Sequence, residues 1–241
     1  MENFFTHLGE VSGEISKNVI MCGDPVRAEI MTKRFLGDAH LVSTTRGNKV
    51  FTGMYKGHKI TIMASFMGAP SMGIYSYELY KFFGVENIIR LGTAGSMDAS
   101  VKLGDIVVCE ECQTDSNYMD MHANGKDQIL FPSKDLKDKV LSTAKDISCP
   151  VKVGKFYCTD TFYADDKKNK YIMSTSSLAV EMENGSLFCN ANLFGKKALS
   201  ICTISDEIYS GGKLSNNDRE YLTDKMFYLA LEMFAKFDKN L

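Results

Sequence analysis

Residues 71–92 read SMGIYSYELYKFFGVENIIRLG, and the change of rhythm inside this stretch decides the fold. Its first part carries apolar side chains at helical spacing. After Gly84 the spacing gives way to Ile88, Ile89 and Leu91, a short run of the kind that fills a buried strand. Working outward, the same exchange recurs. NVIMCG (18–23) precedes PVRAEIMTKRF (25–35), and KALSICTISD (197–206) precedes a long final helix. Such alternation predicts an α/β layered fold with a largely parallel sheet. One segment departs from it: FTGMYKGHKITIMASF (51–66) reads as two strands joined at Lys56-Gly57, a hairpin that makes the sheet mixed. In the last helix Leu222, Met226, Leu229 and Met233 share one face, with Ser215 and Asp218 as its start signal. The polar stretch 165–170 reads as a surface turn. At 241 residues, with no repeat, low-complexity tract or linker, the chain is expected to be one domain over 1–241.

Composition narrows the partners. A chain that is 44% hydrophobic and 24% charged is that of a globular protein, and a formal net charge of -2 argues against nucleic acid as the main partner. Any anion site must therefore be local. No apolar run approaches the roughly 18 residues of a membrane helix, and the start MENFFTHLGE lacks the basic head and apolar core of a signal peptide. A cytoplasmic protein without a membrane partner is expected. Seven cysteines at irregular spacing read as reduced thiols, and the lone CxxC of Cys109 and Cys112 has no second pair to complete a metal site, so no metal is expected.

In parallel α/β sheets ligands bind beyond the carboxyl ends of strands. Four such ends carry unusual residues. CGDPVR (22–27) combines Gly23, a Pro at a helix start and Arg27, which makes an anion site of helix N–H groups plus a guanidinium. RLGTAG (90–95) delivers Arg90 toward Gly92, Thr93 and Gly95; the arginine either grips phosphate or pairs with a carboxylate. LAVEMENG (178–185) places Glu181 and Glu183 on either side of Met182 and on one shared face, either as acceptors for paired sugar hydroxyls or as a solvated acidic helix start. TISD ends on Ser205 and Asp206, a general acid or a turn cap.

Together these ends resemble the purine nucleoside phosphorylases of the hexameric, bacterial type. GDPVRAE, RLGTAG, VEME and the late SD followed by an arginine occur in the family's order, over almost the whole chain. The resemblance implies a three-layer phosphorylase-like α/β fold with a central mixed β-sheet flanked by helices. It implies that Gly23, Arg27, Arg90 and Thr93 hold phosphate, with Arg46 of TTRG reaching in from a neighbouring subunit. His7 matches the histidine that crosses an interface to the ribose 5'-hydroxyl. Phe162 of TDTFY falls where an aromatic ring packs on the base, and Val180 and Met182 where base and sugar pack. Glu183 matches the carboxylate on the ribose 2'-hydroxyl, and Glu181 sits beside base and sugar. Ser205 and Asp206 face the purine edge, with Arg219 supporting proton transfer from Asp206. Without the resemblance, His7 reads as an exposed terminal residue and Phe162 as core.

The activity implied is reversible phosphorolysis of purine ribo- and deoxyribonucleosides to base and sugar 1-phosphate in purine salvage. Phosphate is the co-substrate, no cofactor is implied, and the assembly is a homohexamer, a trimer of dimers sharing active sites. Three departures stand out. EMENGSLF (181–188) puts Asn184 and Gly185 where the family has small residues or alanines, SFMG (65–68) replaces HGMG, and Glu207 follows the SD where histidine is common. Uridine phosphorylase is the nearest alternative, but the glutamine and arginine pair that reads a pyrimidine is absent from YADDKKNKY (163–171). A nucleosidase using water would not need three arginines, a nucleoside-binding protein would not need Asp206 and Arg219, and no GxGxxG supports a dinucleotide enzyme.

Overall fold

The computed structural model describes residues 7–122, 129–215, 218–219 and 223–237. The chain runs β1 (Asn18–Cys22), α1 (Pro25–Phe35), β2 (Gly37–Ser43), a turn at Thr45–Gly47, β3 (Val50–Tyr55), β4 (His58–Ala64), α2 (Ala69–Phe82) and β5 (Asn87–Ser96). It continues through β6 (Ile106–Thr114), α3 (Tyr118–His122), β7 (Ile129–Leu130), α4 (Lys134–Asp146), β8 (Lys152–Cys158) and α5 (Asp166–Met173). The last elements are β9 (Ala179–Glu181), α6 (Asn184–Phe194), β10 (Lys197–Glu207) and α7 (Asp224–Phe237).

One mixed sheet organises these elements, in the order β10-β6-β8-β9-β5-β1-β4-β3-β2, with β7 on β6 and β10 also paired to β5. That extra pairing closes β5, β9, β8, β6 and β10 on one another. The strand β1 lies between β4 and β5, parallel to both, and all five of its residues are buried, as a strand covered on both faces requires. The hairpin is present where it is expected: Tyr55 pairs with His58, and Lys56 (φ 48°) and Gly57 (φ 84°) take the left-handed conformations a two-residue turn demands.

Helices cover both faces, giving three layers. On one face Met72, Tyr75, Leu79, Leu187 and Phe188 of α2 and α6 pack on Val19, Met21 and Ile88. On the other, Ala28, Met31, Leu136, Val140, Met226 and Leu229 of α1, α4 and α7 pack on Ile20, Ile89, Leu91 and Ile201. Alternation along each strand makes the division, and each fully buried large aliphatic contributes roughly 1.5–3 kcal/mol of transfer free energy. It also puts Arg90, two residues from Ile88, on the α2/α6 side.

Two expectations need correction. Residues 165–170 begin α5 rather than a turn, because Asp165 caps the helix by accepting from Lys168 N at 2.7 Å, while Ile172 alone supplies its buried residue. The helix start at Ser215 is separate from α7: Ser215 Oγ accepts from Asp218 N at 3.1 Å, but α7 begins at Asp224. Leu222 and residues 1–6 lie outside the described residues. Among the described residues no helix is long and apolar enough to cross a membrane.

Candidate active site

The carboxyl ends of β1 and β5 lie side by side, with Met21 opposite Arg90. From β1 the chain passes Gly23 and enters α1. Asp24 caps that helix, accepting from Val26 N at 2.8 Å and Arg27 N at 3.4 Å. The helix-start N–H groups expected to bind an anion are thus already engaged, which corrects the sequence reading. What remains is Arg27 itself, 9% exposed, whose Nε has no hydrogen-bond partner among the described residues. Its charge and that of Arg90 both bear on the Cys22 thiol, but burial dominates there and pushes the thiol up to about 12.

Arg90 lies inside β5 rather than at its end, because the strand runs on to Ser96. The glycine after it makes room for it: a Cβ on Gly92 would stand 2.3 Å from Arg90 Nη1. Arg90 is 3% exposed. Its Nη1 donates to Cys202 Sγ at 2.9 Å and to Ser200 Oγ at 3.4 Å, and its Nη2 pairs with Glu183 and, at 3.3 Å, with Glu181. Its Nε has no partner among the described residues. Burial opposes the charge, but Glu183, Cys202 and Glu181 outweigh it and hold the guanidinium well above its ordinary pKa. Of the two readings left open for Arg90, the carboxylate pairing is the one seen.

The two glutamates flank Met182 between β9 and α6, and both are buried, so they are not a solvated helix start. Glu181 takes the N-terminus of α6, accepting from Glu183 N at 2.8 Å and Asn184 N at 3.1 Å. Burial, with Glu183 adding to it against Arg90, raises its pKa to about 7. Glu183 accepts from Gly68 N at 2.7 Å. That bond brings the 65–68 loop into the site, a segment the sequence marked only as a departure from the family's HGMG. Phe66 there adopts φ 56°, and its carbonyl lies 3.4 Å from where a Gly23 Cβ would be. The thiols of Cys112 and Cys158 lie within 4.8 Å of Glu181. With Glu181 already engaged by two N–H donors and a guanidinium, and burial raising the Cys112 thiol to about 11, this group serves as buried support.

At the other end of the site, β10 carries a bulge: Ile204 pairs with Ala94 and Asp206 with Gly95, leaving Ser205 as the extra residue. Bulges re-aim side chains. Here Ser205 Oγ lies 2.7 Å from Asp206 Oδ2 as donor, and Arg219 Nη2 donates to Asp206 Oδ1 at 2.8 Å. Gly95 pairs with Val180 on its other edge, so Asp206 and Val180 flank one glycine. Thr93 and Met182 are half-buried. The Glu207 carboxylate is engaged by Ser210 Oγ at 2.5 Å and Leu103 N at 3.4 Å, and the Ser210 bond lowers its pKa.

Three predicted residues stand apart. Phe162 is 72% exposed, which removes its core reading, and it meets the Tyr163 ring at 5.1 Å. Arg46 is exposed, with φ 56° in the turn after β2. His7 is held against α2 by Glu78. Arg46 and His7 are neighbours: Ser43 Oγ donates to Leu8 O at 2.6 Å, and Thr45 packs so closely on Gly9 that a Cβ there would lie 2.2 Å away. Neither bonds to Arg90, Glu183 or Asp206. The sequence reading missed Gly68, Ser200, Cys202 and Glu78; of these only Glu78, an acid within an apolar helical stretch, had a visible signal.

Residues 17–227 match the model of the phosphorylase superfamily. A purine nucleoside phosphorylase, DeoD-type, of Mycoplasma genitalium is 40% identical over 95% of this chain and 98% of its own. One of the same description from Colwellia psychrerythraea is 38% identical over 94% and 97%. Among solved structures, a uridine phosphorylase from Vibrio fischeri superposes with a TM-score of 0.87 at 26% identity, over 98% of this chain and all of the other. This chain belongs to the phosphorylase superfamily, alongside the DeoD-type purine nucleoside phosphorylases.

Proposed function

We propose that the chain is a purine-nucleoside phosphorylase, cleaving purine ribo- and deoxyribonucleosides with phosphate to free base and sugar 1-phosphate. The observation that carries this is the direct pairing of Arg90 with Glu183. A cation suited to phosphate and a carboxylate suited to ribose hydroxyls touch, so nucleophile and sugar would meet there. Arg27, Gly23 and Thr93 complete the phosphate side, and Asp206 with Arg219 and Ser205 forms the base side.

Breaking an N-glycosidic bond places positive charge on the ribose and negative charge on the departing base. Phosphate attacks C1' from the α face and its own charge faces the developing cation. Asp206 gives its proton to purine N7, and Arg219, 2.8 Å from Oδ1, stabilises the carboxylate left behind. Glu183 takes the 2'-hydroxyl, with Val180, Met182 and Phe162 packing on base and sugar. His7 and Arg46 are assigned to a neighbouring subunit's site, in a homohexamer; their shared surface supports this, since both would cross one interface. The same proposal takes residues 1–241 as one domain, needs no cofactor, and places the enzyme in cytoplasmic purine salvage.

Base release from adenosine, inosine and uridine, each with and without phosphate, tests it. Phosphate-dependent release from a purine nucleoside is expected. Release preferring uridine would instead follow the Vibrio fischeri likeness, and release without phosphate would mean a nucleosidase. Replacing the acid, Asp206→Asn, is expected to lower kcat/KM for purine nucleosides by on the order of a hundredfold or more; an unchanged value refutes its role.

A further inference from the structure

The carboxylate of Glu78 lies on α2, 6% exposed, and takes three donors from the start of the described chain. Leu8 N donates at 2.9 Å and His7 N at 3.2 Å, while His7 Nδ1 lies 2.8 Å from Oε1. A buried carboxylate needs such compensation, and the His7 ring and the two N–H groups supply it as hydrogen-bond donors. The two backbone bonds fix the main chain, and the ring stands edge-on to Tyr75 at 6.4 Å and 82°. The His7 side chain stays 30% exposed, and its Nε2 makes no hydrogen bond within the described residues.

We propose that Glu78 is a positioning residue for the phosphorolysis: by accepting from His7 Nδ1 it fixes the ring tautomer and leaves Nε2 as an acceptor for the ribose 5'-hydroxyl. The proposal rests on the function assigned above. A carboxylate accepts only, so Nδ1 must carry the proton, and the neutral ring then keeps its lone pair on Nε2. A hydroxyl can donate to that lone pair. The opposite tautomer would present an N–H and demand a different partner. Glu78 thereby sets which 5'-substituent the enzyme reads, without touching substrate itself.

Two readouts on the wild type, Glu78→Gln and Glu78→Ala decide it. Nitrogen-15 spectra of histidine-labelled protein are expected to show His7 protonated at Nδ1 in the wild type, with that preference lost in Glu78→Ala, which offers no acceptor, and kept at least in part in Glu78→Gln, whose amide oxygen still accepts. For kinetics, each is assayed with a purine nucleoside and its 5'-deoxy analogue. In Glu78→Ala, kcat/KM for the 5'-hydroxyl substrate is expected to fall about tenfold or more and for the 5'-deoxy analogue by less than about twofold, with Glu78→Gln restoring part of the loss. A parallel fall for both substrates, or a His7 tautomer that ignores Glu78, overturns the proposal. If the wild type releases no purine base at all, the assigned function fails, and the spectra still decide whether Glu78 sets the tautomer.

Discussion

Arg90 is a cation 3% exposed in the interior of a ten-residue strand, and it keeps its charge because Glu183 and Glu181 face it. Removing it strands the buried Glu183 carboxylate next to Glu181. Arg90→Gln is therefore expected to destabilise the chain by about 3–5 kcal/mol, read from denaturant unfolding, as well as to raise the KM for phosphate; a variant of unchanged stability would show that the pair carries little. Glu181 gives a second handle. Its folded pKa, raised from 4.5 to about 7, means the folded chain holds that proton more tightly than the unfolded one. The stability this contributes is complete below about 4.5 and is lost as pH rises through about 7. Glu181→Gln, neutral at every pH, should flatten that part of the Tm profile, and identical slopes for variant and wild type would refute the shift.

At the scale of elements, β5 owes its passage through the site to a missing side chain. Gly92→Ala puts a methyl 2.3 Å from Arg90 Nη1. The guanidinium is pinned by Glu183 and Cys202, so it has to shift, and the expected result is a phosphate KM raised on the order of tenfold with the nucleoside KM less affected. Equal changes in both would mean general disruption of the strand. The elements differ in how far the amino-acid order announces them. The β3–β4 hairpin was legible because Lys56-Gly57 supplies the turn chemistry locally, and Arg90 stood out because a charge closes an apolar run. The helix α5 was not legible, since one buried residue, Ile172, leaves no periodicity to read. The Gly68 N–H has no side-chain signature, and Glu78 meets a partner 71 residues away. Asp206 was visible at its strand end, but the bulge that aims it depends on pairing with β5, which no local pattern encodes.

Across the whole molecule, the segment carrying His7 and the turn carrying Arg46 form one surface, with Leu8 bonded to Ser43 and Gly9 packed on Thr45. A site completed by a second copy makes a sharp prediction. Arg46→Ala and Asp206→Asn, each nearly inactive alone, should regain activity when co-expressed, because a mixed pair holds one site with both lesions and one with neither. Random pairing would restore about a quarter of the sites. No recovery, with mixed assemblies shown to form, would place all the machinery within single chains. The Arg90–Glu183 contact bears on the order in which two ligands bind. If Arg90 takes the phosphate and Glu183 the ribose, as proposed, phosphate drawing on Arg90 loosens Glu183, and a nucleoside drawing on Glu183 loosens Arg90. Each ligand therefore relieves the other of separating the same pair, and by thermodynamic reciprocity each tightens the other's binding by one common factor. The enzyme would hold either alone weakly and both together firmly, so that sugar is activated chiefly when the nucleophile is already beside it.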